Sequence, residues 1–184
     1  MRQSSPPLSR TLAIVVAIFV VVALLTATAT YREATPGAHL YAAYFKPDQP
    51  VFAGTQRALG RDQSAEASVL RQAVSYHRDA RYDYALMGFR NYRETNPVPT
   101  NPAVPLLAAT AALATGHHAE ADEWLELVDR DAPEAHAAAL WYQALNDLAA
   151  ERITSARVLL TELADGAYAR AYPVAELLAE LPIE

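Results

Sequence analysis

The chain of 184 residues contains no cysteine. A disulfide framework, a thiol nucleophile, cysteine-ligated zinc and a lipoprotein acyl anchor are therefore excluded. Basic charge is scarce: 15 Lys and Arg face 21 Asp and Glu, for a net charge of −6. Nucleic acid is set aside as a partner, because it demands a basic footprint. Also missing are a glycine-rich phosphate loop, a nucleophile elbow and a zinc-protease helix motif. From Ser64 onward no run alternates apolar and polar residues as a half-buried strand would. What the chain does have is apolar bulk, 52% hydrophobic against 20% charged. That composition lies outside the disordered and low-complexity classes, and the length suits one domain, with or without an appendage.

The first thirty residues read as a separate object. Arg10 and Arg32 bracket a run without charge from Thr11 to Tyr31. Twenty-one helical residues span roughly 31 Å, about one hydrocarbon core. Leu12, Ile14, Val16, Ile18, Phe19, Val21, Leu24 and Leu25 leave no polar side to such a helix. The expectation is one N-terminal transmembrane helix over 11–31, after a short cytoplasmic tail over 1–10. A cleaved signal peptide competes with it, since Ala27, Thr28 and Ala29 offer a small-residue cleavage site. The apolar stretch, however, exceeds a usual signal core. Arg2 and Arg10 precede the run with no acid beside them, while Arg32 is offset by Glu33. The positive-inside rule then places the amino terminus in the cytoplasm and the rest in a bacterial periplasm, single-pass in the inner membrane. Tyr31, Tyr41, Tyr44 and Phe45 fall where interfacial anchors sit against the lipid bilayer; packing into the folded domain is the other reading of them. Residues 32–63, broken by Pro36, Pro47 and Pro50, read as a linker with room for a short helical stretch through Leu40 to Phe45. The remainder is expected to lie over the domain, keeping Tyr44, Phe45, Val51 and Phe52 from water.

From Ser64 onward the periodicity is helical. Tyr82, Ala85, Phe89 and Tyr92 step along one helix face. The face recurs: Ala85, Ala121 and Ala156 are separated by 36 and then 35 residues, as are Phe89, Leu125 and Leu160, and Tyr92, Val128 and Leu163. In the preceding helices Ala73, Ala109 and Ala144 keep the same register. Pro97 and Pro133 follow the first two units, and Tyr168 stands where a third proline would be. These residues resemble the tetratricopeptide repeat family, whose unit is an antiparallel helix pair of about 34 residues. The likeness covers roughly 64–168, with Ala73, Tyr76, Tyr82, Ala85, Phe89 and Pro97 matching best and Asp147 standing where an apolar residue is usual. The fold class expected is all-α: one N-terminal transmembrane helix, then over 64–184 a TPR-like helical-hairpin solenoid of about three repeats. Val174, Leu177, Leu178 and Leu181 suit a C-terminal capping helix. A span, a Tyr-Phe-x-Pro segment (Tyr44, Phe45, Pro47) and a Trp-Tyr pair (Trp141, Tyr142) are similar to anchored repeat proteins of the Bacteroidetes. The cytoplasmic anti-sigma-like domain of several of those is lacking here, so sigma-factor binding is not carried over.

No catalytic, cofactor-binding or metal-binding residue is expected. His117 and His118, near Glu120, Asp122 and Glu123, read as a solvated turn after Gly116. Charge is uneven. From Arg57 to Arg93 seven arginines face four acids; from Glu94 to Glu184 four arginines face fifteen. The first hairpin is thus basic and the later ones acidic, which suits anionic headgroups or an acidic partner near the first. Arg71, Arg78 and Arg81 are its candidate partner-binding residues. Trp124 and Trp141 have two readings, as core or as exposed anchors for a partner. The function expected is a non-enzymatic membrane-anchored scaffold or accessory subunit. It would bind protein partners, either other membrane-complex subunits (respiratory or photosynthetic, for example) or periplasmic proteins, and no small-molecule substrate. An envelope signalling regulator and a periplasmic chaperone are the alternatives.

Overall fold

The computed structural model describes residues 35–47, 65–99 and 101–182. All regular structure among them is helical. The helices are α1 (Pro36–Tyr44), α2 (Ala65–Arg78), α3 (Tyr82–Thr95), α4 (Ala103–Ala114), α5 (His118–Leu125), α6 (Pro133–Ala149), α7 (Ile153–Asp165) and α8 (Val174–Glu180). A 3-10 turn over Ala169–Ala171 precedes α8.

Helices α2 to α7 form three antiparallel pairs, α2–α3, α4–α5 and α6–α7, each packed on the next. The turn inside each pair is the same turn. Ala80, Gly116 and Glu151 take a left-handed backbone, with φ of 55°, 76° and 58°. The residue after each donates its N–H back five residues: Arg81 to Tyr76 O, His117 to Ala112 O and Arg152 to Asp147 O, all at 2.8 Å. This is the Schellman closure of a helix C-terminus, which satisfies carbonyls the helix itself leaves unpaired. The three turns keep the 36- and 35-residue spacing of the sequence columns. Those columns are interior: Ala73, Ala109 and Ala144 of the first helices, and Ala85, Ala121 and Ala156 of the second, are fully buried. Small side chains there let backbones approach, and Phe89, Leu125 and Leu160 fill the space between helices. Gly88 takes this furthest, since a Cβ on it would sit 2.7 Å from Ala73 Cβ.

Asp147 shows how the third pair accommodates a carboxylate where the register favours an apolar side chain. It is buried but accepts hydrogen bonds from Arg152 Nε (2.8 Å) and Ser155 Oγ. A buried carboxylate held by a guanidinium and a hydroxyl avoids the cost of an unpaired charge. Helix α8 closes the far end with Val174, Leu177 and Leu181 buried.

One expectation is corrected. The fold class with an N-terminal transmembrane helix is not what the described body shows: no helix among the described residues is long and apolar enough to cross a membrane. The stretch assigned to that span, 11–31, lies outside the described residues. Of the linker expected over 32–63, residues 35–47 are described, and they hold helix α1. A boundary falls after Thr35, and the unit that contains the helix pairs begins at Pro36. Helix α1 packs on α6, with Leu40 buried and Tyr41, Tyr44 and Phe45 partly buried against the core.

Candidate functional site

Of the three arginines named from charge alone, Arg78 and Arg81 lie at one end of the first pair, and Arg71 does not. Arg81 is the residue before α3, placed there by the left-handed turn at Ala80. Its guanidinium lies 4.8 Å from the Tyr76 ring and 4.3 Å from the Tyr84 ring. The two ring centroids are 5.5 Å apart, so the cation caps the pair from one side and touches both rings. Gln72 Nε2 donates to Tyr76 OH at 3.1 Å and steadies that ring. Arg78 donates to Ser75 Oγ (3.2 Å) and pairs with Asp79 at 3.4 Å. Arg71 is half-buried on α2, two turns earlier. One turn beyond Tyr84 on α3 stands Met87; Tyr84 is 49% and Met87 52% exposed. The result is a patch of tyrosine, arginine and methionine in a fixed arrangement.

The remaining described arginines of the first pair are spent differently. Arg90 makes a two-pronged contact with Glu120 of α5, with Nε to Oε1 at 2.8 Å. Arg93 pairs with Glu123 at 3.3 Å and lies 4.8 Å over the Trp124 ring. Hydrogen bonding from Arg90 holds the Glu120 carboxyl below the usual carboxylate range. One pair further on, Arg152 reaches back to Asp122 at 3.4 Å. The uneven charge of the sequence thus serves in part to join successive helix pairs.

Trp124 and Trp141 are fully buried, so of their two readings the core one holds and the exposed-anchor one does not. Trp124 donates to Glu120 at 3.4 Å beneath the Arg93 side chain. Trp141 stacks on Tyr172, with ring centroids 5.2 Å apart, because α6 is covered from several sides. Tyr41, Tyr44 and Phe45, expected as interfacial anchors, are seated on the body; Tyr31 lies outside the described residues. Burial pushes the Tyr41 hydroxyl up to about 12, and the hydrogen bond to Glu180 does the same for Tyr44.

The histidines at the Gly116 turn are engaged locally. His117 Nδ1 meets Thr115 Oγ1 at 2.9 Å, and His118 Nδ1 meets Asn146 Oδ1 at 2.7 Å. His77 is buried and contacts Thr110 Oγ1 at 2.8 Å, joining α2 to α4. Among the described residues no three His, Asp or Glu side chains converge as a metal ion would need. A cleft of about 290 Å³ lies between the end of α5, α6 and α7. Its rim carries Arg130, His136 and Glu162, the last two 3.7 Å apart. No nucleophile and oriented base meet there, so it offers no constellation for bond-making. Compared with family models, curated proteins and solved structures, the chain matches none of them.

Reasoning from charge found Arg78 and Arg81 but missed Tyr84 and Met87. Two tyrosines flanking an arginine across a helix turn, Tyr76, Arg81 and Tyr84, were the available signal.

Proposed function

We propose that this chain is a non-enzymatic scaffold or accessory subunit that binds protein partners of a larger membrane assembly through its helical body. The observation that carries the reading is Arg81 lying over the paired rings of Tyr76 and Tyr84, near exposed Met87. Tyrosine, arginine and methionine are the residue types that protein interfaces concentrate at their centres. Contact with both rings restricts the guanidinium and so lowers the entropy lost when a partner carboxylate meets it. Tyr84 and Met87 offer apolar area beside that charge, so the patch suits an acidic residue next to an aliphatic or aromatic one. The thrice-repeated helix pair supports the tetratricopeptide-like reading, in which stacked pairs present extended surfaces for binding.

The test is purification of the detergent-solubilised full chain at its native level, with and without a paired Arg81→Ala and Tyr84→Ala change. A partner in fixed stoichiometry is expected with the parent chain and lost from the variant, whose helical circular dichroism stays unchanged. Heterogeneous clients would favour a chaperone, and a lone chain whose deletion alters transcription would favour a regulator. A partner retained at full stoichiometry by the variant would remove this surface from the account.

A further inference from the structure

Helix α5 stops short of its place in the repeat. Helix α3 ends at Thr95, and the 36-residue spacing carries that position to Asp131. Helix α7 ends at Asp165, and the 35-residue spacing carries that position back to Arg130. Yet α5 has eight residues and ends at Leu125, while α3 has fourteen and α7 thirteen. Past Leu125 the backbone tightens. Leu127 N–H donates to Trp124 O and Val128 N–H to Leu125 O, each at 3.2 Å and each three residues back. The chain then turns through 129–132 into α6. The cleft of about 290 Å³ opens at this break. The broken segment lines it, against α7 and one face of α6 on which His136, Ala139, Leu140 and Gln143 follow the helical step.

The walls are of two kinds. Leu125, Val128 and Leu140, all buried, and Leu159, half-buried, make the apolar part. Charges of both signs line the rest. Glu126 and Arg130 are exposed, and neither has a hydrogen bond or ion pair among the described residues. Arg90, Arg93 and Arg152, by contrast, are each engaged by a carboxylate. The half-buried amide of Gln143 is likewise without a partner among the described residues. Glu162 meets His136 at 3.7 Å and keeps more than half of its side chain in solvent.

We propose that this cleft binds a free α-amino acid with an aliphatic or aromatic side chain. The side chain lies over Leu125, Val128, Leu140 and Leu159, where it sheds water. The carboxylate meets the Arg130 guanidinium, whose fork suits two carboxylate oxygens. The ammonium meets the Glu126 carboxylate. The charge set selects this class of ligand. A simple anion satisfies Arg130 but brings like charge to Glu126 and Glu162, and a simple cation does the reverse. A neutral apolar molecule would cover these charges without pairing them. Both signs and an apolar body together answer every wall. The volume sets the size. Ligand pockets run from roughly 300 to 1,000 Å³, and this cleft lies at the low end, fit for one residue and not for a peptide chain. A ligand here touches both the second and the third pair and so bears on their join. The site is separate from the Arg81 patch and stands without it.

The experiment titrates L-leucine and L-phenylalanine into the detergent-solubilised full chain, read by calorimetry. Saturable binding at one site is expected. Leucinamide lacks the carboxylate and N-acetyl-leucine lacks the ammonium, and each is expected to bind at least tenfold more weakly than leucine. Arg130→Ala and Glu126→Gln alter exposed side chains, so helical circular dichroism stays unchanged. Arg130→Ala should weaken leucine at least tenfold and abolish its advantage over leucinamide. Glu126→Gln should abolish its advantage over N-acetyl-leucine. No saturable binding of either amino acid would overturn the proposal. So would equal affinity for leucine, leucinamide and N-acetyl-leucine, the mark of an apolar hole alone, or full affinity in Arg130→Ala. Leucyl-leucine binding as tightly as leucine would sink the restriction to a single residue.

Discussion

Ala80 and Glu151 adopt a backbone that side chains with a Cβ resist, at φ 55° and 58°, while Gly116 takes the matching place at φ 76° without that cost. The repeated turn is therefore strained in the first and third pairs and relaxed in the second. Nothing lies within 4 Å of the place a Cβ on Gly116 would take, so its glycine answers to φ alone. Ala80 is exposed and contributes little packing. Ala80→Gly should accordingly stabilise the protein, by about 1 kcal/mol, read as a higher urea midpoint with unchanged slope. A lower midpoint would show that the first turn is not the left-handed closure described. Glu151 is a less clean site, because its side chain also accepts from Ala38. The same residue-level attention explains Asp147, whose misfit to an apolar register is met by Arg152 and Ser155 in the next helix.

Pairs of helices depend on how near their axes come, and the α2–α3 pair depends on Gly88 against Ala73. Gly88→Ala places a methyl 2.7 Å from the Ala73 Cβ, an atom fixed to its backbone that cannot swing aside. Helix propensity alone would make the change favourable by about 1 kcal/mol. Overpacking costs about 1–3 kcal/mol and opposes it, so a net loss of stability is expected on thermal melting. A gain would mean that α2 and α3 sit farther apart than the structure has them. This scale is also where the sequence was most readable. Periodic columns such as Ala73, Ala109 and Ala144 announce buried helix faces because period and burial share one cause, the 3.6-residue turn. What a face meets is another matter. Trp141 stayed undecided between core and surface, since nothing local says that α1, α4, α5, α7 and Tyr172 all gather on α6. The seat of α1 joins Gly37 to Leu148, and no periodicity reports a contact across so much chain. The Arg81 patch was half readable: the charges stood out, but the rings that hold the cation become neighbours only when the hairpin closes.

At the scale of the molecule the three pairs are unequally supported. Helix α6 is packed by α7, α1, α4 and α5, with Tyr172 stacked on Trp141. Among the described residues α2 packs on α3 and only lightly on α4. The first pair joins the rest through the α3–α4 contact and the pairs Arg90–Glu120 and Arg93–Glu123. These link the basic first hairpin to the acidic later ones, and the guanidinium of Arg90 and the carboxylate of Glu123 are largely in solvent. A stack of repeats opens where nearest-neighbour terms are weakest, so opening should begin at the first pair. Amide exchange should then rank α2 as less protected than α6. Raising sodium chloride from about 0.1 to 1 M shortens the screening length from roughly 10 to 3 Å, weakening exposed ion pairs more than apolar contacts. Protection of α2 and α3 should fall relative to α6 as salt rises. Equal protection throughout, or a first pair indifferent to salt, would mean that the apolar α3–α4 contact alone carries the join and that the uneven charge has no part in holding the stack together.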